Sequence, residues 1–321
     1  MPEHERPALI DVHAHFVTDD YVSAARAAGI DQPDGMPMWP SWSVDEQLRS
    51  MRDKQIGHAV LSLSSPGVTF AGEAASPLAR EMNVFAATAV AEHPRRFSYF
   101  ATLPLPDVDA AVSEATHTAA RGAVGVVVMS NSGGQYLGDA ALDPLWERLN
   151  ALRSLVFVHP TSPPDAESVA LDRPRPVVEF MFETTRTITD LIFAGVLARY
   201  PDIRFVIPHC GATLPLLAAR IELFRSVWPG PGGEPPGPLT TSDQLQRMWF
   251  DLAGHPLPTH AAVLRDVVGA GRILYGSDSC WTPDFAVGKQ IASLDDDPTV
   301  DWRGVTYENA VGLIPHIADP V

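Results

Sequence analysis

The octet LIDVHAHF, residues 9–16, is an apolar run of strand type that ends in two histidines one residue apart. Chance alone places an H-x-H in roughly four of ten chains with this many histidines, so by itself the spacing decides nothing. What decides the fold is that the design recurs along the chain. Short β-branched runs stand at 8–14, 58–63, 97–103, 124–129, 155–160, 203–208, 248–253 and 272–277. Between them helical periodicity is read at 43–55, 77–92, 107–121, 142–152, 177–200, 212–227 and 259–270, and after the last strand at 284–294. Eight nearly continuous apolar strands alternating with eight helices predict an α/β fold, a (β/α)8 barrel taking residues 1–321 as one domain. An open doubly wound sheet would more often carry a Gly-rich phosphate turn after its first strand, and VHAHFVTDD (12–20) is not one.

Charge and composition narrow the function. Among 321 residues there are 23 basic and 39 acidic ones, a net charge of −16. No block of like charge occurs, which argues against nucleic acid or an anionic membrane surface as partner and for a small molecule. The longest apolar stretches, such as AVGVVVM (123–129), are far too short to span a bilayer, and the charged start MPEHERP has no signal-peptide core. The expected location is cytoplasmic. Cys210 and Cys280, the two cysteines, lack C-x-x-C spacing and are read as reduced thiols.

Two connections are longer than ordinary barrel loops. Residues 17–42 contain GMPMWPSW, whose Met36, Met38, Trp39 and Trp42 suit a lid over an apolar ligand or a cover for the barrel top. Residues 228–243 contain WPGPGGEPPGPL, read as a surface excursion or flap.

In a parallel barrel the C-terminal strand ends meet at one face, where chemistry is assembled from different strands. His13 and His15 close the first strand on one face of it, His159 the fifth, His209 the sixth and Asp278 the eighth. Imidazoles with a carboxylate fit one divalent ion, Zn²⁺ first, with Mn²⁺ or Fe²⁺ tolerated, and leave a position for substrate. The period of two also sets Asp11 below His13 as a partner behind the ligand. His255, beyond the seventh strand, lies on the same face as a substrate contact. His4, His58, His93, His117, His260 and His316 are read as solvated or capping residues without a role.

These residues resemble the metal-dependent amidohydrolase superfamily, and within it the nonoxidative decarboxylases, especially the 6-methylsalicylate and γ-resorcylate decarboxylase group. The likeness runs through DVHAHF, LRSMRDKQIGHAVLSLSSPG, GVVVMSNSGGQYLGDAALDPLWERLN, FVHPTSP, RYPDIRFVIPHCGATLP and LYGSDSCWTPDF. It implies that His13, His15, His159 and Asp278 hold the ion and that His209 stays beside it as the proton handler. The fourth strand, VGVVVMSN, lacks the lysine that bridges two metals in many hydrolytic relatives, so one ion is implied. Two departures or matches concern substrate. Gln47 stands where the related semialdehyde decarboxylases carry an arginine that clamps a dicarboxylate. Arg220, in LPLLAARI, matches an arginine that reaches substrate across a dimer interface, which implies a homodimer; its alternative is a surface salt bridge.

The expected reaction is loss of CO2 from a salicylate-type aromatic acid with an ortho hydroxyl and no organic cofactor. Direct cleavage would leave charge on an sp² carbon, so the ring carbon is protonated first. The proton comes from Asp278 or from a water held by the ion and His209. Phe16, Trp39, Trp42 and Trp281 are the candidates to line the ring pocket. The rival readings are a hydrolase of lactonase or amidohydrolase type using the same residues, and a barrel with no catalytic role.

Overall fold

The computed structural model describes residues 7–228, 239–314 and 317. His4, His316 and most of the 228–243 excursion therefore lie outside the described residues. Eight parallel strands follow one another around a barrel in sequence order: β1 (Leu9–Phe16), β2 (Ile56–Leu63), β3 (Phe97–Thr102), β4 (Gly125–Met129), β5 (Leu155–His159), β6 (Arg204–Ile207), β7 (Trp249–Asp251) and β8 (Ile273–Leu274). The ring is drawn shut by bridges from Asp11 to Tyr275 and from Ala14 to Ser279, with Val12 N donating to Tyr275 O over 3.0 Å.

The two faces of each strand enter separate clusters, as a period of two requires. Val60, Phe100, Val127, Leu155, Phe157, Val206 and Leu274 fill the barrel interior. Their neighbours Ala59, Leu61, Tyr99, Ala101, Val126, Val128, Val156, Val158, Phe205, Ile207 and Ile273 pack outward beneath the helices. β1 breaks this rule. Ile10 and Val12 belong to the interior, whereas Ala14 and Phe16 belong to the outer layer. The pairing shifts between Asp11 and Ala14, where β1 advances three residues against two on β2. This bulge turns the odd-numbered residues beyond it, His13 and His15, toward the axis, and bulges next to active sites commonly serve this purpose.

The helices begin where polar caps allow. Ser43 accepts from Glu46 N ahead of Val44–Asp53, and Asp107 accepts from Ala110 N ahead of Val108–Ala119. The sequence-predicted helix over 177–200 is in fact Glu179–Phe193 followed by the short turn Val196–Arg199. Gly195, at φ +70°, adopts the left-handed conformation that ends helices, which periodicity does not register. Besides the short turns Ala166–Val169 and Thr241–Leu245, two longer helices among the described residues were not anticipated. Asp19–Ala27 lies inside the connection read as a loop, and it buries only Tyr21 and Ala25, too few for a clear apolar stripe. Trp302–Leu313 packs Ala310 and Leu313 against the interior cluster, closing the end of the barrel opposite the histidines. Among the described residues no helix is long and apolar enough to cross a membrane.

Candidate metal centre and its cavity

The bulge delivers His13 and His15 side by side, their Nε2 atoms 2.9 Å apart. Asp278 Oδ1 lies 3.5 Å from the first and 3.3 Å from the second. With His159 they form a group whose ligand atoms all fall within 4.8 Å of one another. Donors about 2.0–2.1 Å from a tetrahedral ion stand about 3.3 Å apart, so the spacing suits a single ion.

The far side of each ring is fixed by an oxygen. Asp251 Oδ2 is 2.8 Å from His13 Nδ1, Ser62 Oγ is 3.0 Å from His15 Nδ1, and Pro160 O is 2.7 Å from His159 Nδ1. These partners place the proton on Nδ1 and leave each Nε2 lone pair for a metal, the usual division of labour in histidine sites.

Electrostatics agree. Burial lowers the pKa of both His15 and His159, which favours the neutral form that a metal-binding imidazole needs. Burial opposes charge on His13 too, but the carboxylates of Asp251 and Asp278 outweigh it and raise its pKa to about 9. A proton on His13 is thus standing in for positive charge that the carboxylates demand, and a divalent cation can replace it. Asp278 itself, despite burial that favours the neutral acid, is held well below the usual carboxylate range by His13 and by hydrogen bonds from His15 and His209. The same surroundings favour the Asp278 anion, so to serve as the acid it would first have to take up a proton.

Asp11 does not do what the period of two suggested. Standing before the bulge, it faces away from the His13 ring, and it accepts from Ser277 Oγ at 2.6 Å, Ser277 N at 3.0 Å and His13 N at 3.0 Å. It braces the end of β8 against β1, and burial pushes its carboxyl up to about 6 against those bonds. The partner of the His13 ring is Asp251 from β7. Its other oxygen accepts from His209 N and Ala253 N, both at 2.9 Å. Its signal in the sequence is an acid at the C-terminal end of an apolar strand, in MWFDLA.

His209 stands beside the cluster with its Nε2 3.5 Å from Asp278 Oδ2. Its Nδ1 is buried and has no partner among the described residues. His209, Cys210, Ala212 and Asp278 all have positive φ, between 54° and 58°. Non-glycine residues held there are strained, and such strain clusters at functional sites. Gly276 makes the tight approach possible, since a Cβ there would meet His13 Cβ at 2.8 Å and Asp251 Cγ at 2.9 Å.

Above the cluster opens a cavity of about 450 Å³ whose floor includes His159, His209 and Asp278. Of the four aromatic residues expected to line it, Trp281 does. Phe16 instead stacks on Phe85 in the outer core, and Trp42 packs on both while its Nε1 donates to Gln47 Oε1 at 3.3 Å. Trp39 lies behind Trp281, their centroids 5.8 Å apart, and Met38 is exposed at the surface. The apolar wall comes from Met36, Val177, Phe180 and Met181, the last three supplied by the segment after β5. His255 lines this cavity. His260, assigned no role, lines the cavity as well and bonds Ala212 O at 2.7 Å. Of the other histidines set aside, His58 is buried in β2 against Ser98 Oγ rather than solvated.

Arg220 is on the exposed face of the helix Leu214–Val227, its guanidinium 4.9 Å from the Phe224 ring centre. It is not among the residues lining the cavity of its own chain.

A family model described as amidohydrolase matches residues 10–314. A 6-methylsalicylic acid decarboxylase of Penicillium expansum is 31% identical, with 97% of each chain covered. Among solved structures, an amidohydrolase II superposes with a TM-score of 0.89 at 29% identity, covering 96% of this chain and all of the other. A dihydroxybenzoic acid decarboxylase of Polaromonas sp., crystallised with manganese and 2-nitroresorcinol, superposes with a TM-score of 0.78 at 24% identity, covering 96% of this chain and 97% of its own.

Proposed function

The chain belongs to the amidohydrolase family, and on that premise we propose that it removes CO2, without oxidation, from a small aromatic acid carrying a hydroxyl ortho to the carboxylate. One observation carries the proposal: a one-ion donor set lies at the floor of an apolar cavity, with a histidine within hydrogen-bond reach of its carboxylate.

His13, His15, His159 and Asp278 would hold the ion, which supplies Lewis acidity and a template for the hydroxyl and carboxylate oxygens. Trp281, Phe180 and Met181 press on the ring and keep water from it. His209 Nε2, 3.5 Å from Asp278 Oδ2, pairs the two groups that would handle the proton, which passes from protonated Asp278, or from a water held at His209, to the ring carbon that bears the carboxylate. The C–CO2 bond then breaks, its electron pair returns to the ring and aromaticity is restored. Asp251, by gripping the His209 backbone and the His13 ring with one carboxylate, sets the acid and the ion in a common frame. His255 and His260 are placed to meet substituents at the mouth.

Zn²⁺ is our choice of ion, on the strength of the nitrogen-rich donor set; the manganese of the Polaromonas structure is the argument for Mn²⁺. We take the functional unit to be a homodimer formed through the helix that bears Arg220. Leu216, Leu223, Val227 and Trp228 of that segment are each at least 60% exposed, an apolar row that favours cover by a second copy. An Arg220 contact to substrate would then come from the partner copy. A cytoplasmic location belongs to the same proposal, and the two cysteines as free thiols fit it.

The deciding experiment reconstitutes the protein with Zn²⁺ or Mn²⁺ and follows CO2 release from salicylate-type acids without oxygen. Ring opening of lactones or hydrolysis of cyclic amides, with no CO2 from any acid, would make it a hydrolase instead. Light scattering on the same preparation tests the dimer, and a monomer at assay concentration removes the role of Arg220.

A further inference from the structure

We propose that Asp34, on the connection between β1 and β2, selects the substrate by accepting a hydrogen bond from a second donor group on the ring, a hydroxyl beyond the ortho one. This rests on the aromatic-acid reading and goes past it, from a salicylate to an acid with a further donor.

Asp34 lines the same cavity as His159, His209, Asp278 and Trp281. It is a carboxylate in an otherwise largely apolar wall; no lysine or arginine is among the described lining residues, and the cation acting on it, Arg175, stands outside them and pairs with Glu167. Its own partners hold it in place. Ser162 donates to Oδ1 through its hydroxyl at 2.6 Å and its amide at 3.2 Å, and the Ser65 hydroxyl adds a further bond. An ionised carboxylate has about four acceptor sites, so three donors leave one. Burial still pushes the Asp34 carboxyl above the ordinary range in spite of these bonds and of nearby Arg175. The anion is therefore short of solvation and gains from one more donor.

The loop is built to keep this carboxylate at the cavity. Asp34 has φ 50°, and Gly35 has φ 71°. Arg175 packs so closely on Gly35 that a Cβ there would collide with its guanidinium. Arg175 is tied in turn to Glu167. The same charge that accepts a hydroxyl disfavours an anionic substituent in its place.

A loop staple alone could explain Asp34, and Asp34→Asn separates the two roles. The amide oxygen can still accept from Ser162, while the charge is lost and one acceptor becomes a donor. The measurement is the ratio of kcat/KM for each dihydroxybenzoate that keeps the ortho hydroxyl to that for salicylate, in the metal-loaded wild type and variant. At least one dihydroxy acid is expected to be preferred about tenfold or more by the wild type, with that ratio falling about ten- to hundredfold in Asp34→Asn. A staple would shift both substrates together and leave the ratio alone, and that result overturns the proposal, as does a wild type indifferent to the second hydroxyl. Calorimetric binding of resorcinol against phenol is run in parallel on both proteins. If no acid is turned over, the decarboxylase reading fails, and Asp34 is still judged by whether its replacement abolishes a preference for resorcinol. Equal affinities for the two ligands in the wild type would count against it.

Discussion

Replacing Asp251 with Asn should damage metal binding more than any other change outside the ligands, because one carboxylate serves three buried donors. Oδ2 takes the His13 Nδ1 proton at 2.8 Å, and Oδ1 takes the amides of His209 and Ala253 at 2.9 Å. An amide cannot replace it in either orientation. With its oxygen toward His13, its NH2 confronts two backbone N–H groups. With its oxygen toward those amides, its NH2 confronts His13, whose ring must then move its proton to Nε2, the atom needed by the ion. Each orphaned buried donor costs about 1–3 kcal/mol. Unfolding entropy near 2.1 cal/mol/K per residue makes that about 2–4 °C in the apo melting temperature for a chain of this length. Loss of the anchoring carboxylate should weaken the ion by about 10–100-fold. Competition against a chromophoric chelator measures the affinity, and apo melts measure the stability. Asp11→Asn is the control: it should also destabilise the apo fold, because Asp11 holds Ser277, but leave affinity within about threefold, far less than the loss expected for Asp251. If Asp251→Asn binds the ion as tightly as the wild type, the reasoning that the acid orients His13 is wrong.

Three further results are expected. His209→Asn should lower kcat by about 10²–10⁴-fold while retaining one ion per chain by elemental analysis; loss of the ion would instead make His209 a ligand. Apo protein should lose stability between about pH 6.5 and pH 9.5. The His13 pKa is raised to about 9 in the fold, so the stabilisation of its charged form is complete below its unfolded value and is lost as pH rises through the folded one. The span is on the order of 3 kcal/mol, and it should vanish in the loaded protein, where the ion replaces the proton; equal pH slopes in melts of both forms would refute this. Gly276→Ala should cost about 1–3 kcal/mol and reduce metal content, since its Cβ would press on His13 and Asp251, which paired melts and metal analysis would detect.

The barrel and the four residues of the metal cluster were legible because their signals are local. An apolar run closed by a histidine announces both a strand and its chemical end, and all eight strands stand where the runs stand. The residue types at those ends survive shifts of one or two positions in the strand boundaries. Which residues face each other depends on strand pairing, and there the local signal stops. The bulge in β1 changes its parity between Val12 and Ala14, so that Asp11 and His13 fall on different faces although an unbroken period of two puts them together. The place behind His13 goes to an aspartate 238 residues away. Likewise four aromatic residues near strand ends look equivalent in the sequence, yet packing buries Phe16 and Trp39, leaves Trp42 half-buried beside Gln47, and gives the cavity to Trp281, Phe180 and Asp34. Sequence determined which side chains the barrel carries to its open end. Pairing register and loop packing, which arise only when distant strands meet, decided how those side chains point.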